Sequence, residues 1–484
     1  MRHPLKAVTL TVLLLAPLAA CTGGEGGGLA QNGAPAPADH PEEEFAGGPV
    51  SPAEDPESTF AVDIDSASYD FARGSLNDGE LPPEDQIRPE EFVNYFDQGY
   101  AEPDGAGFAI TVDGAELPEW YEAGDATHVM RVGLQTRSES DEARADVNLT
   151  FVIDVSGSMS GDRIQIVRDS LHTLIDELRP TDAVAIVTYE SDSEVLKEMT
   201  PVGDGDELHD AVDDLESNGS TNMHAGLVDG YEIAGESFDS GKDNRVILLS
   251  DGEANVGLTE HDAILEDLEP QIAEGITLLT VGVGDSYNQE TLEQLADNGD
   301  GWAVYFATAT EAERVFSERL TSTLGVAARD AKIQVTFSPD TVAEYRLIGF
   351  ENRAIEDEEF EDDSVDGGEV GPGHSVTALY ALTLTGESGE LATAEARWLD
   401  PESGEADTVA ATMSGADQSA YGDAAPSLGV DVVAAAFAEA LRGSAEGFDC
   451  ESLLPAAQEL AAASDDPDVD ELAELIAVAA DLGA

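Results

Sequence analysis

The run Asn148-Leu149-Thr150-Phe151-Val152-Ile153-Asp154 is short, apolar and rich in strand formers, and it passes directly into the turn Val155-Ser156-Gly157-Ser158. Downstream, Asp162–Leu178 sets Ile164, Val167, Leu171, Leu174, Ile175 and Leu178 on one face at helical spacing. Ala183–Tyr189 (AVAIVTY), Arg245–Leu249 (RVILL) and Ile276–Val283 (ITLLTVGV) read as further buried strands. Trp302–Phe306 reads as a last strand and Ser193–Met199 as a short edge strand. Helices are expected at Asp206–Leu215, Asn222–Ile233, His261–Glu274, Gln289–Ala296 and Glu311–Leu324. Strands that are apolar along their whole length, alternating with amphipathic helices, imply a parallel sheet covered on both faces. The expected fold class is α/β, with a doubly wound, mostly parallel sheet.

Ligands of such sheets bind beyond the carboxyl ends of the strands, and those ends carry the polar residues. The first strand ends in Asp154, Ser156 and Ser158, Gly219-Ser220-Thr221 precedes a helix, and the third strand ends in Ser250-Asp251-Gly252. Two carboxylates and three hydroxyls from three loops are expected to converge at one edge of the sheet. All are hard oxygen donors, a set that suits Mg²⁺ or Mn²⁺ in octahedral geometry with several waters retained. Each motif alone is an ordinary turn after a strand. Together and in this order they resemble the metal-ion-dependent adhesion site of von Willebrand factor type A domains, Rossmann-like folds, over about Val147 to Gly325. The resemblance implies that Ser156, Ser158 and Thr221 coordinate the metal directly and that Asp154 and Asp251 hold it largely through water. It also implies an open coordination position for an acidic side chain of a protein partner.

The flanks narrow the likeness. Thr59–Tyr69 (TFAVDIDSASY), Arg88–Phe96 (RPEEFVNYF), Tyr345–Arg353 (YRLIGFENR) and Gly373–Tyr380 (GHSVTALY) are similar to regions of a family of bacterial lipoproteins with a type A domain and an uncharacterised C-terminal domain. Strand patterns stand before the α/β block at Phe108–Val112 and His128–Leu134, and after it at Ala331–Phe337, Val376–Thr385 and Leu391–Leu399. Two strands alone are marginal in water, and no long apolar helix separates the later strands. The α/β domain is therefore expected to be inserted in, or followed by, an antiparallel β-sandwich, with insertion the simpler solution. Gly429–Leu441 and Ser452–Leu482 read as a helical end, packed as a small bundle or against the β part. The chain divides into a signal peptide (1–20), a lipid-anchored linker (21–57), an N-terminal region with strands (58–146), the type A-like domain (147–325), a β-rich domain (326–425) and a helical segment (426–484).

Arg2 and Lys6 precede an apolar run, Ala7–Ala20, broken only by Thr9, Thr11 and Pro17. At about 14 residues it is short for a membrane span and fits the core of a signal peptide. It ends in Leu18-Ala19-Ala20-Cys21, which resembles a lipobox and implies that Cys21 is lipidated and anchors the chain to a membrane, outside the cytoplasm. Thr22 to about Glu57 reads as a flexible tether. Cys450 is the remaining thiol and reads as a small hydrophobe.

Lys and Arg number 21 against 102 Asp and Glu, a net charge of −81. Such a chain repels phosphate backbones, which excludes nucleic-acid binding, and it has no basic face for anionic lipid. The acidity fits a high-salt habitat, a solvated surface that aids solubility, or bulk cation binding. Nothing marks an enzyme. Gly157–Gly161 carries Met159 where a nucleophile elbow needs serine, Gly282-Val283-Gly284 lacks a third glycine, and Lys242 is followed by Asp243 where a P-loop needs Ser or Thr. His224, three residues after Thr221, is either a rim residue of the metal site or a packing or surface residue. Asp63 and Asp65 read as capping or polar core residues, and the acidic run Glu356–Glu369 as a solvated loop. The expected function is a membrane-anchored lipoprotein that binds a protein partner through Mg²⁺, with Mn²⁺ or Ca²⁺ as alternatives. The rival is a structural component of an envelope complex whose metal only stabilises the fold.

Overall fold

The structure is a computed structural model that describes residues 48–484 apart from 106, 122–123, 140–143, 253–257, 259–260, 273, 285–288, 300, 307, 309–311, 313–324, 363–364, 366, 402 and 446. The expected signal peptide, Cys21, most of the expected tether and nearly all of the helix expected at Glu311–Leu324 lie outside the described residues.

In chain order the elements begin with strand β1 (Glu57–Ala61), helices α1 (Ala67–Asn77) and α2 (Pro89–Asn94), and strands β2 (Phe108–Glu116) and β3 (His128–Thr136). The α/β block follows: β4 (Asp146–Asp154), α3 (Asp162–Glu177), β5 (Ala183–Tyr189), β6 (Ser193–Pro201), α4 (Asp206–Asp213), α5 (Met223–Glu236), β7 (Lys242–Ser250), α6 (His261–Ile272), β8 (Thr277–Val283), α7 (Gln289–Asp297) and β9 (Ala303–Phe306). Its six strands lie in the order β6-β5-β4-β7-β8-β9. All pair in parallel except the edge strand β6, which runs antiparallel to β5. Period-two alternation sends neighbouring side chains of β4 into different layers. Phe151 and Ile153 meet Val167, Leu171 and Leu174 of α3, whereas Val152 meets Leu227 and Tyr231 of α5. Helix α5 comes close to the sheet because Gly230 has no side chain, and a Cβ there would stand 2.4 Å from Val152 Cγ2.

The remaining strands are β10 (Ala328–Phe337), β11 (Val342–Ile348), β12 (Gly368–Val370), β13 (Ser375–Leu384), β14 (Glu390–Leu399), β15 (Ala406–Ser414) and β16 (Gln418–Ser419). One sheet runs β1-β10-β14-β15 with β12 beside β10, and the other runs β11-β13-β3-β2-β16. Each sheet joins strands from before the α/β block to strands from after it. Phe60 pairs with Ile333 across β1 and β10, and Val132 pairs with Ala378 across β3 and β13. The inner faces fill one core, in which Phe60, Ile333, Val335 and Ala394 meet Met130, Val132, Leu134, Val376 and Tyr380. Of the two expected arrangements, the α/β block is thus inserted into the sandwich.

Helices α8 (Pro426–Leu441), α9 (Cys450–Ala463) and α10 (Pro467–Leu482) close the chain. With α1 and α2 they cover the sheet face that carries Ala115, Val129, Leu379 and Ala381. Nearly every residue of α8 is buried, which matches its sequence: a helix that is apolar all round belongs inside. The single helical run expected over Ser452–Leu482 is two helices. Asp466 accepts from the Asp468 N–H and Pro467 follows, so a new helix starts there. Cys450 is fully buried in this layer.

The chain is docked earlier than the expected tether boundary at Glu57. Val50 and Tyr345 exchange backbone hydrogen bonds of 2.8 and 2.9 Å, and Pro52 is buried, so the chain is already docked ahead of Glu57. Asp63 and Asp65 then act as polar core residues. Asp63 pairs with Arg353 at 3.0 Å, and Asp65 Oδ1 accepts the N–H of Ala303 at 3.0 Å.

Candidate metal centre

Strand register assembles this site. In β4 and β5, Asp154 stands opposite Tyr189. In β4 and β7, Ile153 stands opposite Leu249, which brings Ser250 and Asp251 beside Asp154. Asp154 is fully buried. Its Oδ1 accepts the N–H of Ser156 at 2.8 Å, and its Oδ2 accepts hydroxyls from Ser250 at 2.9 Å and Tyr189 at 3.2 Å. Burial pushes its carboxyl up to about 6; the hydrogen bonds from Ser156 and Ser250 oppose this and the neighbouring Asp251 adds to it. The Ser156 and Ser158 hydroxyls lie 3.0 Å apart.

The loop bearing Thr221 is tied to the same place. Asn218 N–H donates to Val155 O at 2.7 Å and Gly157 N–H to Gly219 O at 3.3 Å. Gly219 has φ +82° and lies against the Glu190 carboxylate, where any Cβ would collide. Asn222 then caps α5 by accepting from Ala225 N–H. Thr221 and Asp251 are both buried. Asp251 Oδ2 accepts from Arg163 Nη1 at 2.9 Å, and the same nitrogen lies 3.3 Å from Ser158 O. The structure therefore brings Asp154, Ser156, Ser158 and Asp251 together, with the Thr221 loop bonded to their turn.

A family model described as von Willebrand factor type A domain matches residues 148–318. Residues 148–318 are a type A domain. Two further models match its flanks: "von Willebrand factor" over 42–125 and "Uncharacterized protein YfbK, C-terminal" over 322–391. Uncharacterized protein YfbK of Escherichia coli K12 is 37% identical over 360 residues, which are 72% of this chain and 62% of that protein. Inter-alpha-trypsin inhibitor heavy chain H3 of Pongo abelii is 28% identical over 164 residues, 32% of this chain and 19% of that protein. The chain thus spans less than two thirds of these relatives. Among solved structures, a von Willebrand factor type A protein from Catenulispora acidiphila aligns at TM-score 0.46 and 19% identity, over 78% of this chain and 91% of that one.

The donor set of the type A domain fits a hard divalent cation. Its polar groups are two buried carboxylates and three hydroxyls, all oxygens. Among the described residues no group of three or more His, Cys, Asp and Glu side chains forms a metal cage, so an ion held here would need the hydroxyls as well. A cation would also offset the mutual repulsion of Asp154 and Asp251. His224 Nε2 lies 2.9 Å from Asp267 Oδ2, linking α5 to α6, which fits the packing or surface role. Tyr189 and Arg163 are the contributors that sequence reading missed. Tyr189 was findable as the last residue of the strand beside Asp154, whereas nothing in the helical spacing of α3 marks Arg163 as turned toward Asp251.

Proposed function

We propose that the type A domain captures an acidic side chain of a protein partner through a divalent cation, Mg²⁺ first among candidates, held by Asp154, Ser156, Ser158, Thr221 and Asp251. Type A domains often mediate protein interactions through such a site. The observation that carries the proposal is the Asp154 corner, where two buried carboxylates and the paired Ser156 and Ser158 hydroxyls meet at the carboxyl end of the central strands. Ser156, Ser158 and Thr221 bind the ion directly, and Asp154 and Asp251 hold its waters. The role is one of binding, and no catalytic group is assigned. The chain is tethered by lipid on Cys21 and works outside the cytoplasm, a reading supported by the apolar segment that ends in Leu18-Ala19-Ala20-Cys21.

The Arg163–Asp251 ion pair favours partner binding over a purely structural metal. It gives the metal-free loops a cation of their own, so folding need not await the ion. Calorimetric titration of the full chain with Mg²⁺ tests the site: Asp154→Ala with Asp251→Ala should abolish the binding isotherm, and unchanged binding would place the ion elsewhere. Pull-down from native membranes with and without Mg²⁺ tests the partner. Capture that survives chelation would defeat the metal-bridge reading.

A further inference from the structure

We propose that His172 and His209 form a second cation site on the α/β domain, one for a nitrogen-preferring ion of the zinc class. His172 lies on α3 and His209 on the neighbouring α4. Their Nδ1 atoms stand 2.7 Å apart, with ring centroids 4.9 Å apart and planes inclined by 25°. A centroid separation this close to the nitrogen contact plus two ring radii means that the rings meet edge to edge, Nδ1 against Nδ1. The far nitrogens are each held by an acid: His172 Nε2 lies 3.3 Å from Asp213 Oδ1 and His209 Nε2 lies 3.2 Å from Asp176 Oδ1.

These contacts set up a conflict. A carboxylate beside Nε2 selects the tautomer with the hydrogen on that nitrogen. Both Nδ1 atoms are then acceptors, and two lone pairs face each other at hydrogen-bond distance. Either a hydrogen on one Nδ1 or a metal ion between the two removes the repulsion. Two imidazoles whose outer nitrogens are anchored by carboxylates are the arrangement that orients histidines on a metal.

The geometry admits a metal with little movement. Tetrahedral zinc, with Zn–N of about 2.0–2.1 Å, needs the two nitrogens roughly 3.3 Å apart. The rings therefore have to part by a fraction of an ångström. Both side chains are partly exposed, at 30% and 27%, while Asp213 and Asp176 are open to solvent, so ions and completing waters have access. Imidazole nitrogen selects Zn²⁺, Ni²⁺ or Cu²⁺ over Mg²⁺, the opposite preference to the oxygen site. His172 lies about 14 Å along α3 from Arg163, so the two sites do not share ligands. The charge of −81 raises the local concentration of any divalent ion.

The test is titration of the full chain with Zn²⁺ in saturating Mg²⁺, which keeps the oxygen site filled. Wild type should take up one zinc equivalent. His172→Gln and His209→Gln should each weaken it at least tenfold, with circular dichroism confirming the fold, and Asp154→Ala with Asp251→Ala should retain it. Cu²⁺ as a probe should show hyperfine coupling to two imidazole nitrogens in wild type and to one in each histidine variant. Absence of a zinc equivalent in wild type would mean that the pair is only hydrogen-bonded, and the proposal fails. It fails equally if the histidine variants titrate like wild type, or if zinc uptake disappears with the oxygen-site variant.

Discussion

Asp251 Oδ2 and Arg163 Nη1 are 2.9 Å apart, and the carboxylate side of this pair is almost wholly buried, with the guanidinium 20% exposed. Under the proposed metal reading, Arg163 supplies at Asp251 positive charge of the kind that a bound divalent ion would supply. Arg163→Gln should lower the melting temperature in chelator, by the equivalent of about 1–3 kcal/mol for a buried acceptor left without its partner. In saturating Mg²⁺ most of that loss should be recovered. Melting curves with and without metal decide it, and an equal drop in both conditions would mean that the pair is unrelated to the ion.

Glu90 is 1% exposed, and among the described residues neither carboxylate oxygen has a hydrogen-bond partner. Burial, reinforced by Glu351 and Asp63, pushes its carboxyl from 4.5 up to about 7. The folded chain thus keeps a proton that the unfolded chain releases. Its contribution to stability is complete below pH 4.5 and is lost as the pH rises through 7. Glu90→Gln should weaken this dependence and stabilise the protein at pH 8. Denaturant unfolding at pH 5 and pH 8 checks it; a variant no more stable than wild type at pH 8 would refute it.

Screening should matter throughout. With a net charge of −81, melting temperature should climb steeply between low salt and about 1 M, where the Debye length shrinks to roughly 3 Å. A flat response to neutral salt would show that the acidic surface costs the fold nothing and would remove the high-salt reading.

The shared sandwich predicts how the chain can be cut. Strand β13 lies between β11 and β3, and β10 lies between β1 and β14, so residues 326–484 alone lack a neighbour in both sheets. That fragment should not melt cooperatively. Joining residues 48–146 to 326–484 through a short linker should restore a cooperative transition, because both sheets are then complete. Calorimetry of the two proteins is the measurement, and a cooperative melt of the C-terminal piece alone would contradict the shared core.

The sequence by itself determined the α/β block and its polar edge. Unbroken apolar strands, helices of period 3.6 and the Asp154, Ser156, Ser158 turn are local patterns, and each is forced by burial of one face or by the chemistry of one loop. Insertion in a sandwich was legible only as the economical solution for strands too few to stand alone. Strand β15 escaped notice because it is largely exposed and so lacks apolar alternation. What tertiary structure alone decided is which distant residues meet. Backbone hydrogen bonds do not distinguish one strand from another, so the pairing of Phe60 with Ile333 follows from filling a common core. The same holds for Asp251 with Arg163 and for His172 with His209: the direction of side chains on packed elements, rather than spacing along the chain, puts these groups face to face.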